Sequence, residues 1–191
     1  MKTDIILAGV GGQGILSIAT VIGMAAMAKN LYIKQAETHG MSQRGGAVQS
    51  DLRISDRPIA SDLIPLGHAD IILAVEPLES LRYLPFLKKD GWIVTSTSPL
   101  INIPNYPEVQ TVLDTLKARE RVVMVDADAL ATEAGNLKAS NMVMLGAAVP
   151  FIQLDTEDVE QAIRAIFGRK GEQVTAVNID ALHRGIAAAS K

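Results

Sequence analysis

Apolar runs of strand length alternate along the chain with longer segments of helical periodicity. Six short runs rich in Ile, Leu and Val predict strands at Asp4–Ala8, Tyr32–Ala36, Ala47–Ile54, Asp70–Val75, Gly91–Thr95 and Val122–Val125. Several of them are continuously apolar, which is typical of strands that are covered on both faces. The run from Val48 to Ile54 instead interleaves polar residues, which predicts an edge strand or an antiparallel addition to the sheet.

The segments of helical periodicity predict helices at Gly14–Lys29, Pro77–Leu87, Ala127–Glu133, Ala139–Ala148, Thr156–Phe167 and Ile179–Ala189. Asp155 and Asn178 are suited to cap the last two helices. Prolines between Ser98 and Pro107 exclude a regular helix there and predict a surface loop. The alternation of strands and helices predicts an α/β fold, with a single three-layer α/β/α domain over residues 1–191 and a mostly parallel sheet.

Composition and charge exclude several classes of function. The chain has 191 residues, of which 48% are hydrophobic, so it is long enough to bury a core. Its 18 basic and 21 acidic residues give a net charge of −3, and only 4% of its residues are aromatic. We therefore expect no nucleic-acid partner and no anionic membrane surface as a partner.

Metal sites and targeting segments are also not expected. The chain has no cysteine, so it cannot hold an iron–sulfur cluster through thiolates, and its three histidines lack metal-ligand spacing. The N-terminus runs into the first strand without a basic region or a cleavage site. The apolar stretch from Gly14 to Ala28 is too short to span a bilayer. We expect a cytoplasmic protein.

A glycine-rich turn with the pattern G-x-G-x-x-G joins the first predicted strand to the first helix. Its candidate binding residues are Gly9, Gly11, Gly12, Gln13 and Gly14. Glycine permits a tight turn and a close approach of the backbone to a phosphate. Glu37 stands nearly where a dinucleotide-binding fold has its acidic residue. Three interpretations stay open: a turn without a ligand, an anion or cofactor phosphate at the turn, and stable NAD or FAD binding.

A long polar loop follows the second predicted strand. Its candidate binding residues are Glu37, His39, Ser42, Gln43 and Arg44. Ordinary connecting loops are short, so this variety of polar groups among glycines indicates binding. Arg44, next to two glycines, suits a carboxylate or a phosphate. The alternatives are an ion pair for Arg44 and an ordinary hydrogen-bonded loop position for His39.

Glu76 directly follows the predicted strand Asp70–Val75. Open α/β sheets bind ligands at the carboxyl ends of their strands, so Glu76 is a further candidate for contact with a ligand or a partner chain. Glu79 and Arg82 are spaced to share one face of the next helix, where we expect Glu79 to be solvated. No residue is predicted to be catalytic.

Five segments carry a family resemblance. They are GVGGQG at 9–14, ETHGMSQRGG at 37–46, EPLESLR at 76–82, DADALA at 126–131 and NMVMLGA at 141–147. Together they resemble the gamma-type subunits of the 2-oxoacid:ferredoxin oxidoreductases, and within that family the small subunits of the indolepyruvate enzymes. The resemblance covers nearly the whole chain and is most specific in the HGMSQRGG segment.

The resemblance implies an enzyme subunit that is not active alone. Its complex would oxidatively decarboxylate a 2-oxoacid, indolepyruvate or another arylpyruvate, with coenzyme A to give acyl-CoA and carbon dioxide. Ferredoxin would accept the electrons, and the partner, a large (alpha) catalytic subunit, would hold thiamine diphosphate, magnesium and 4Fe–4S clusters. The lack of cysteine in this chain fits that division.

The role of this chain within such a complex is a separate hypothesis. The glycine turn and Arg44 are placed to bind phosphates of coenzyme A at the interface with the catalytic subunit. A purely structural subunit is one alternative. A stand-alone α/β module that binds a nucleotide or a flavin at the glycine turn is the other.

Overall fold

The computed structural model describes residues 1–40 and 45–190, which form six β-strands and seven α-helices. The strands are β1 (Lys2–Val10), β2 (Tyr32–His39), β3 (Ala47–Ser55), β4 (Ala69–Ala74), β5 (Leu87–Ser96) and β6 (Val122–Val125). The helices are α1 (Ile15–Ala28), α2 (Pro77–Arg82), α3 (Val109–Lys117), α4 (Ala127–Glu133), α5 (Ser140–Ala148), α6 (Thr156–Phe167) and α7 (Glu172–Ala189).

The strands form one sheet in the order β2-β3-β1-β4-β5-β6. Strands β1, β4, β5 and β6 are parallel to their neighbours in that series, whereas β3 is antiparallel to both β1 and β2. Strand β2 therefore runs in the same direction as β1, and the prediction of a mostly parallel sheet is confirmed. Strand β3 is antiparallel, as one alternative had it, but it lies inside the sheet and not at an edge.

Helices cover both faces of the sheet. Helices α1, α5, α6 and α7 pack on one face, and α2, α3 and the segment 56–68 pack on the other. Because side chains alternate along a strand, Ile5 and its neighbour Ile6 lie on opposite faces, and both are fully buried. This explains the continuously apolar strands, and it confirms the three-layer α/β/α fold.

Two helices on the α2 and α3 face differ from the sequence prediction. The helix predicted over Pro77–Leu87 ends at Arg82, and a 3-10 turn over Leu84–Phe86 follows, because Pro85 has no N–H to continue the helix. Helix α3 was not predicted. It follows the proline-rich loop and buries only Val112 and Leu116, so its apolar stripe is short.

Of the two C-terminal helices, α6 has the predicted bounds and α7 begins earlier than predicted. Helix α7 begins at Glu172, and Asn178 lies inside it, where its side chain donates to the Val174 carbonyl at 2.8 Å instead of capping a helix. Asp155 does occupy the N-cap position of α6, but its carboxylate pairs with Lys29 at the end of α1. No helix within the described residues is long and apolar enough to cross a membrane.

Candidate functional site

The glycine turn between β1 and α1 has a backbone that requires glycine at several positions. Gly12 and Gly14 have φ angles of 107° and 79°, which side chains of L-residues rarely permit. At Gly9 the reason is space, because a Cβ atom there would lie 2.4 Å from the Val75 side chain. These glycines therefore have a structural reason to be present that is independent of any ligand.

Gln13 braces the turn from inside. Its Oε1 accepts from the backbone N–H of Val10 at 2.8 Å, and its Nε2 donates to the Val75 carbonyl at 3.4 Å. The side chain thus ties the carboxyl end of β1 to the residue that follows β4. The structure gives Gln13 an internal role, and its contact with a ligand stays a prediction.

Asn141, in the first turn of helix α5, packs against the glycine turn at Gly14. The sequence did not indicate this role for it. Its Nδ2 donates to the Gly14 carbonyl at 3.2 Å, and it occupies the space that a Cβ at Gly14 would need. The signal that could have pointed to it is its place at the start of the segment 141–147, which carries part of the family resemblance.

A cavity of about 440 Å³ opens beside the glycine turn. It is lined by Val10, Gly11, Gly12, Gly14, Ile15, Leu16, Glu37, His39 and Val48. Glu37 and His39 were predicted in the polar loop, but they lie in the last residues of β2, because the strand extends to His39. The structure brings both to the glycine turn, although their roles stay predictions. Both side chains are exposed, and His39 Nδ1 lies 3.0 Å from the carbonyl oxygen of Gly40.

The far end of the polar loop also meets the glycine turn. Gly45 donates to the Gly11 carbonyl at 3.2 Å, and the Gly11 N–H donates to the Gly46 carbonyl at 2.8 Å. The two predicted motifs are therefore joined through their backbones. The candidates Ser42, Gln43 and Arg44 lie outside the described residues.

The cavity and the turn offer two kinds of contact. The first N–H groups of any helix have no acceptor within that helix, so the N-terminus of α1 presents donors beside the cavity. Val10, Ile15, Leu16 and Val48 supply apolar walls. This edge of the sheet, formed by the carboxyl ends of β1, β4 and β5 with the glycine turn, is called the carboxyl edge below.

Glu76 is deeply buried at the carboxyl edge, with 1% of its surface exposed. Its Oε2 caps α2 by accepting from the Glu79 N–H at 2.9 Å. Its Oε1 accepts from the Leu100 N–H at 3.3 Å and from the Tyr106 hydroxyl. Burial and this bond raise the pKa of Tyr106, so the phenol stays a donor. Glu76 thus has an internal role, and its contact with a ligand stays a prediction.

Glu79 is buried and not solvated, contrary to the expectation from its place in the first turn of α2. Burial raises the pKa of Glu79, although Arg82, at 3.0 Å, counteracts this effect. The predicted spacing of Glu79 and Arg82 on one face is confirmed.

The side chains that the structure describes meet the needs of neither an iron–sulfur cluster nor a metal ion. There is no cysteine to ligate an iron–sulfur cluster. Within residues 1–40 and 45–190, no three His, Asp or Glu side chains converge in a way that could hold a metal ion. We assign no redox or metal-dependent step to these residues.

Comparison with known proteins shows similarity over nearly the whole chain. Residues 4–188 match the family model described as pyruvate ferredoxin/flavodoxin oxidoreductase. Indolepyruvate oxidoreductase subunit IorB of Archaeoglobus fulgidus is 38% identical, over 97% of this chain and 94% of that protein. Pyruvate/ketoisovalerate oxidoreductases common subunit gamma of Pyrococcus abyssi is 29% identical, over 86% of this chain and 87% of that protein.

A solved structure shares the fold. The 2-oxoglutarate:ferredoxin oxidoreductase of Magnetococcus marinus, with 2-oxoglutarate, coenzyme A and succinyl-CoA bound, superposes with a TM-score of 0.78 at 23% identity. The match covers 99% of this chain and 31% of the other, so this chain corresponds to about a third of that protein chain.

Proposed function

The chain belongs to the pyruvate ferredoxin/flavodoxin oxidoreductase family and is a subunit of a 2-oxoacid:ferredoxin oxidoreductase, and we propose that its complex acts on indolepyruvate or another arylpyruvate. One observation carries the substrate class. Identity to the indolepyruvate oxidoreductase subunit is 38% over 97% of this chain, against 29% over 86% for the pyruvate/ketoisovalerate subunit.

The proposed reaction is an oxidative decarboxylation. The 2-oxoacid and coenzyme A give acyl-CoA and carbon dioxide, and two electrons pass to ferredoxin. Thiamine diphosphate, magnesium and 4Fe–4S clusters, which supply the carbanion and electron-transfer chemistry, belong to the large (alpha) catalytic subunit in this proposal. The lack of cysteine in this chain supports that assignment for the clusters. This subunit is then required by the complex but is inactive alone.

The carboxyl edge is the part of this chain that we assign to the interface with the catalytic subunit. Three features support the assignment: the cavity of about 440 Å³, the donors at the N-terminus of α1, and the convergence of Glu37 and His39 with the glycine turn. Phosphates of coenzyme A suit backbone donors at a helix N-terminus and an arginine nearby. We assign them to the Gly11–Gly14 turn and to Arg44.

The first test is isolation of the tagged chain from its host under anaerobic conditions. We expect a large, cysteine-rich, thiamine-binding chain to copurify, and the complex to favour indolepyruvate over pyruvate and 2-oxoglutarate in kcat/KM. Recovery of the chain alone, as a homo-oligomer that carries a nucleotide or a flavin, would show that the stand-alone module is correct instead.

The role of the turn is tested by Arg44→Ala in the assembled complex. Loss of a charged hydrogen bond to phosphate predicts a KM for coenzyme A raised about tenfold with little change in kcat. Arg57→Ala, in the segment after β3 at the opposite edge of the sheet, is the control and leaves this KM unchanged. An unchanged KM and turnover in Arg44→Ala would refute the coenzyme A assignment.

A further inference from the structure

The proline loop, residues 98–107 between β5 and α3, has a backbone without helix or strand but is tied to its neighbours by side chains. The Leu100 N–H and the Tyr106 hydroxyl, near the two ends of the loop, both donate to Glu76. Between these two residues, Asn102 donates through its Nδ2 to the Gly45 carbonyl. The loop therefore bridges α2 and the far end of the polar loop.

At the Glu76 end of this bridge, the side chain is buried and accepts several hydrogen bonds. The carboxylate is buried and at the same time caps α2 through the Glu79 N–H at 2.9 Å, so it cannot turn away without uncapping the helix. Tyr106, which is half-buried, ties the proline loop to this buried side chain through its hydroxyl.

The Gly45 end of the bridge leads directly to the glycine turn. Gly45 donates to the Gly11 carbonyl at 3.2 Å, and Gly11 donates in return to the Gly46 carbonyl at 2.8 Å. Hydrogen bonds link Tyr106 to Glu76, Asn102 to Gly45 and Gly45 to Gly11, and the backbone of the proline loop joins Tyr106 to Asn102. This path runs from the cap of α2 to Gly11, which lines the cavity at the carboxyl edge.

We propose that Tyr106 and Asn102 are positioning residues, which hold the end of the polar loop against the glycine turn through the proline loop. Neither residue lines the cavity of about 440 Å³, so they act through Gly45 and Gly11. The kinetic consequence of this inference rests on the proposed function, because it requires the glycine turn to contribute to coenzyme A binding. The structural part of the inference, that Tyr106 and Asn102 hold Gly45 against the glycine turn, does not depend on that proposal.

Amide hydrogen exchange of the full chain, resolved by residue, tests the structural part of the inference. Tyr106→Phe keeps the ring and removes the donor to Glu76, and Asn102→Ala removes the donor to Gly45. For each variant we expect exchange of the Gly11 and Gly45 amides to be about fivefold faster, the factor that one net hydrogen bond represents. Asn102→Gln, which retains an amide donor, restores most of the protection.

Tyr83→Phe is the matched control for the loss of a tyrosine hydroxyl. Tyr83 is buried near α2, and its hydroxyl makes no hydrogen bond to another residue within 1–40 and 45–190. This variant leaves exchange at Gly11 and Gly45 unchanged. If Tyr106→Phe and Asn102→Ala fold normally and also leave that exchange unchanged, the positioning inference is overturned.

Kinetics of the assembled complex then separate this inference from the proposed function. We expect Tyr106→Phe and Asn102→Ala to raise the KM for coenzyme A about fivefold while kcat stays near that of the parent enzyme. Faster exchange together with an unchanged KM would support the positioning role and overturn the proposed coenzyme A role of the glycine turn.

Discussion

Asp4 on β1 and Arg53 on β3 form a buried ion pair between strands that lie side by side. Arg53 donates to both carboxylate oxygens of Asp4, at 2.8 and 3.0 Å, and its remaining nitrogen donates to the carbonyls of Ser61 and Leu63. Burial alone would raise the pKa of Asp4, but the bonds and charges of Arg53 and Lys2 outweigh it, so the pKa is lowered. This pairing explains how β3 carries polar residues inside the sheet.

The lowered pKa of Asp4 predicts a pH dependence of stability. The ionised form is favoured by folding, so its contribution is fully present above the unfolded pKa of about 3.9 and is lost as the pH falls through the folded value. At neutral pH we expect Asp4→Asn to cost about 3–5 kcal/mol of unfolding free energy, because it leaves Arg53 buried without its partner.

Urea unfolding at neutral and acidic pH checks this prediction. The difference between parent and Asp4→Asn narrows below about pH 4. Lys2→Met is the control: Lys2 contacts the same carboxylate at 2.7 Å but is half exposed, so its loss costs under about 1 kcal/mol. A difference between parent and Asp4→Asn that stays constant down to acidic pH would contradict the assignment.

Thr3 offers a stabilising substitution. Its Oγ1 is buried, and it has no hydrogen-bond partner within residues 1–40 and 45–190. Thr3→Val keeps the shape and removes the unsatisfied hydroxyl, so we expect a gain of about 1 kcal/mol and a higher Tm by calorimetry. In Thr175→Val, the matched control, a hydroxyl that donates to the Gly171 carbonyl at 3.1 Å is lost, and stability falls. Destabilisation by Thr3→Val would show that its hydroxyl has a partner.

At the scale of elements, helices α5 and α7 cross with their backbones in contact. A Cβ atom at Gly146 would lie 2.0 Å from the Leu182 carbonyl oxygen, and one at Gly185 would lie 1.9 Å from the Val143 carbonyl oxygen. Backbone atoms cannot move aside as a flexible side chain can. The crossing therefore depends on both glycines and places α5, with Asn141 at its start, under the glycine turn.

Gly146→Ala tests this crossing. Alanine favours an isolated helix by about 1 kcal/mol over glycine, but here the overlap must separate two packed helices, so we expect a net loss of about 2 kcal/mol or more. Denaturant unfolding measures it. Gly168→Ala is the control, because a Cβ there meets no atom within 4 Å. Equal stabilities of the two variants would contradict the close crossing.

At the scale of the whole molecule, the carboxyl edge carries apolar side chains that the fold leaves in contact with solvent. Leu16 beside the cavity is 52% exposed, and Ile101 at the tip of the proline loop is 64% exposed. Single exposed apolar side chains are ordinary on a protein surface, and Leu66 at the opposite edge is 65% exposed. The proposal that the carboxyl edge meets the catalytic subunit therefore rests on its cavity and its helix donors, and a variant at this edge tests it.

Ile101→Asp in the coexpressed complex tests whether the carboxyl edge faces the catalytic subunit. We expect the affinity for the large subunit to fall about tenfold or more, measured by retention of the large subunit on the tagged chain, while the Tm of the isolated chain stays unchanged. Leu66→Asp is the control: Leu66 is 65% exposed but precedes β4, at the opposite edge of the sheet. Full retention by both variants, or equal loss, would contradict the orientation.

The elements of this fold were predictable where the signal was local. Each predicted strand was found. Strands β1 and β4 are covered on both faces and need an apolar residue at nearly every position, whereas β2 is mostly exposed and was found from its short run of strand-forming residues. Helix α3 was missed because only Val112 and Leu116 are buried along it. The internal position of β3 was missed because Asp51 and Arg53 suggested solvent, whereas their partners Ile64 and Asp4 lie elsewhere in the chain.

By itself the sequence determined the α/β alternation, the need for glycines in the first turn and the family, since these depend on periodicity and on short motifs within one segment. Only the tertiary structure decided that the buried Glu76 side chain caps α2 and also accepts a hydrogen bond from Tyr106. It also decided that Asn141 donates to the carbonyl of Gly14, which is 127 residues away in the chain. Such pairs follow from how the strands are ordered and how the helices cross. The distant partner of a buried polar group cannot be identified from the residue pattern of one chain. Many residues could serve as that partner chemically, and the fold brings only one of them within hydrogen-bond distance.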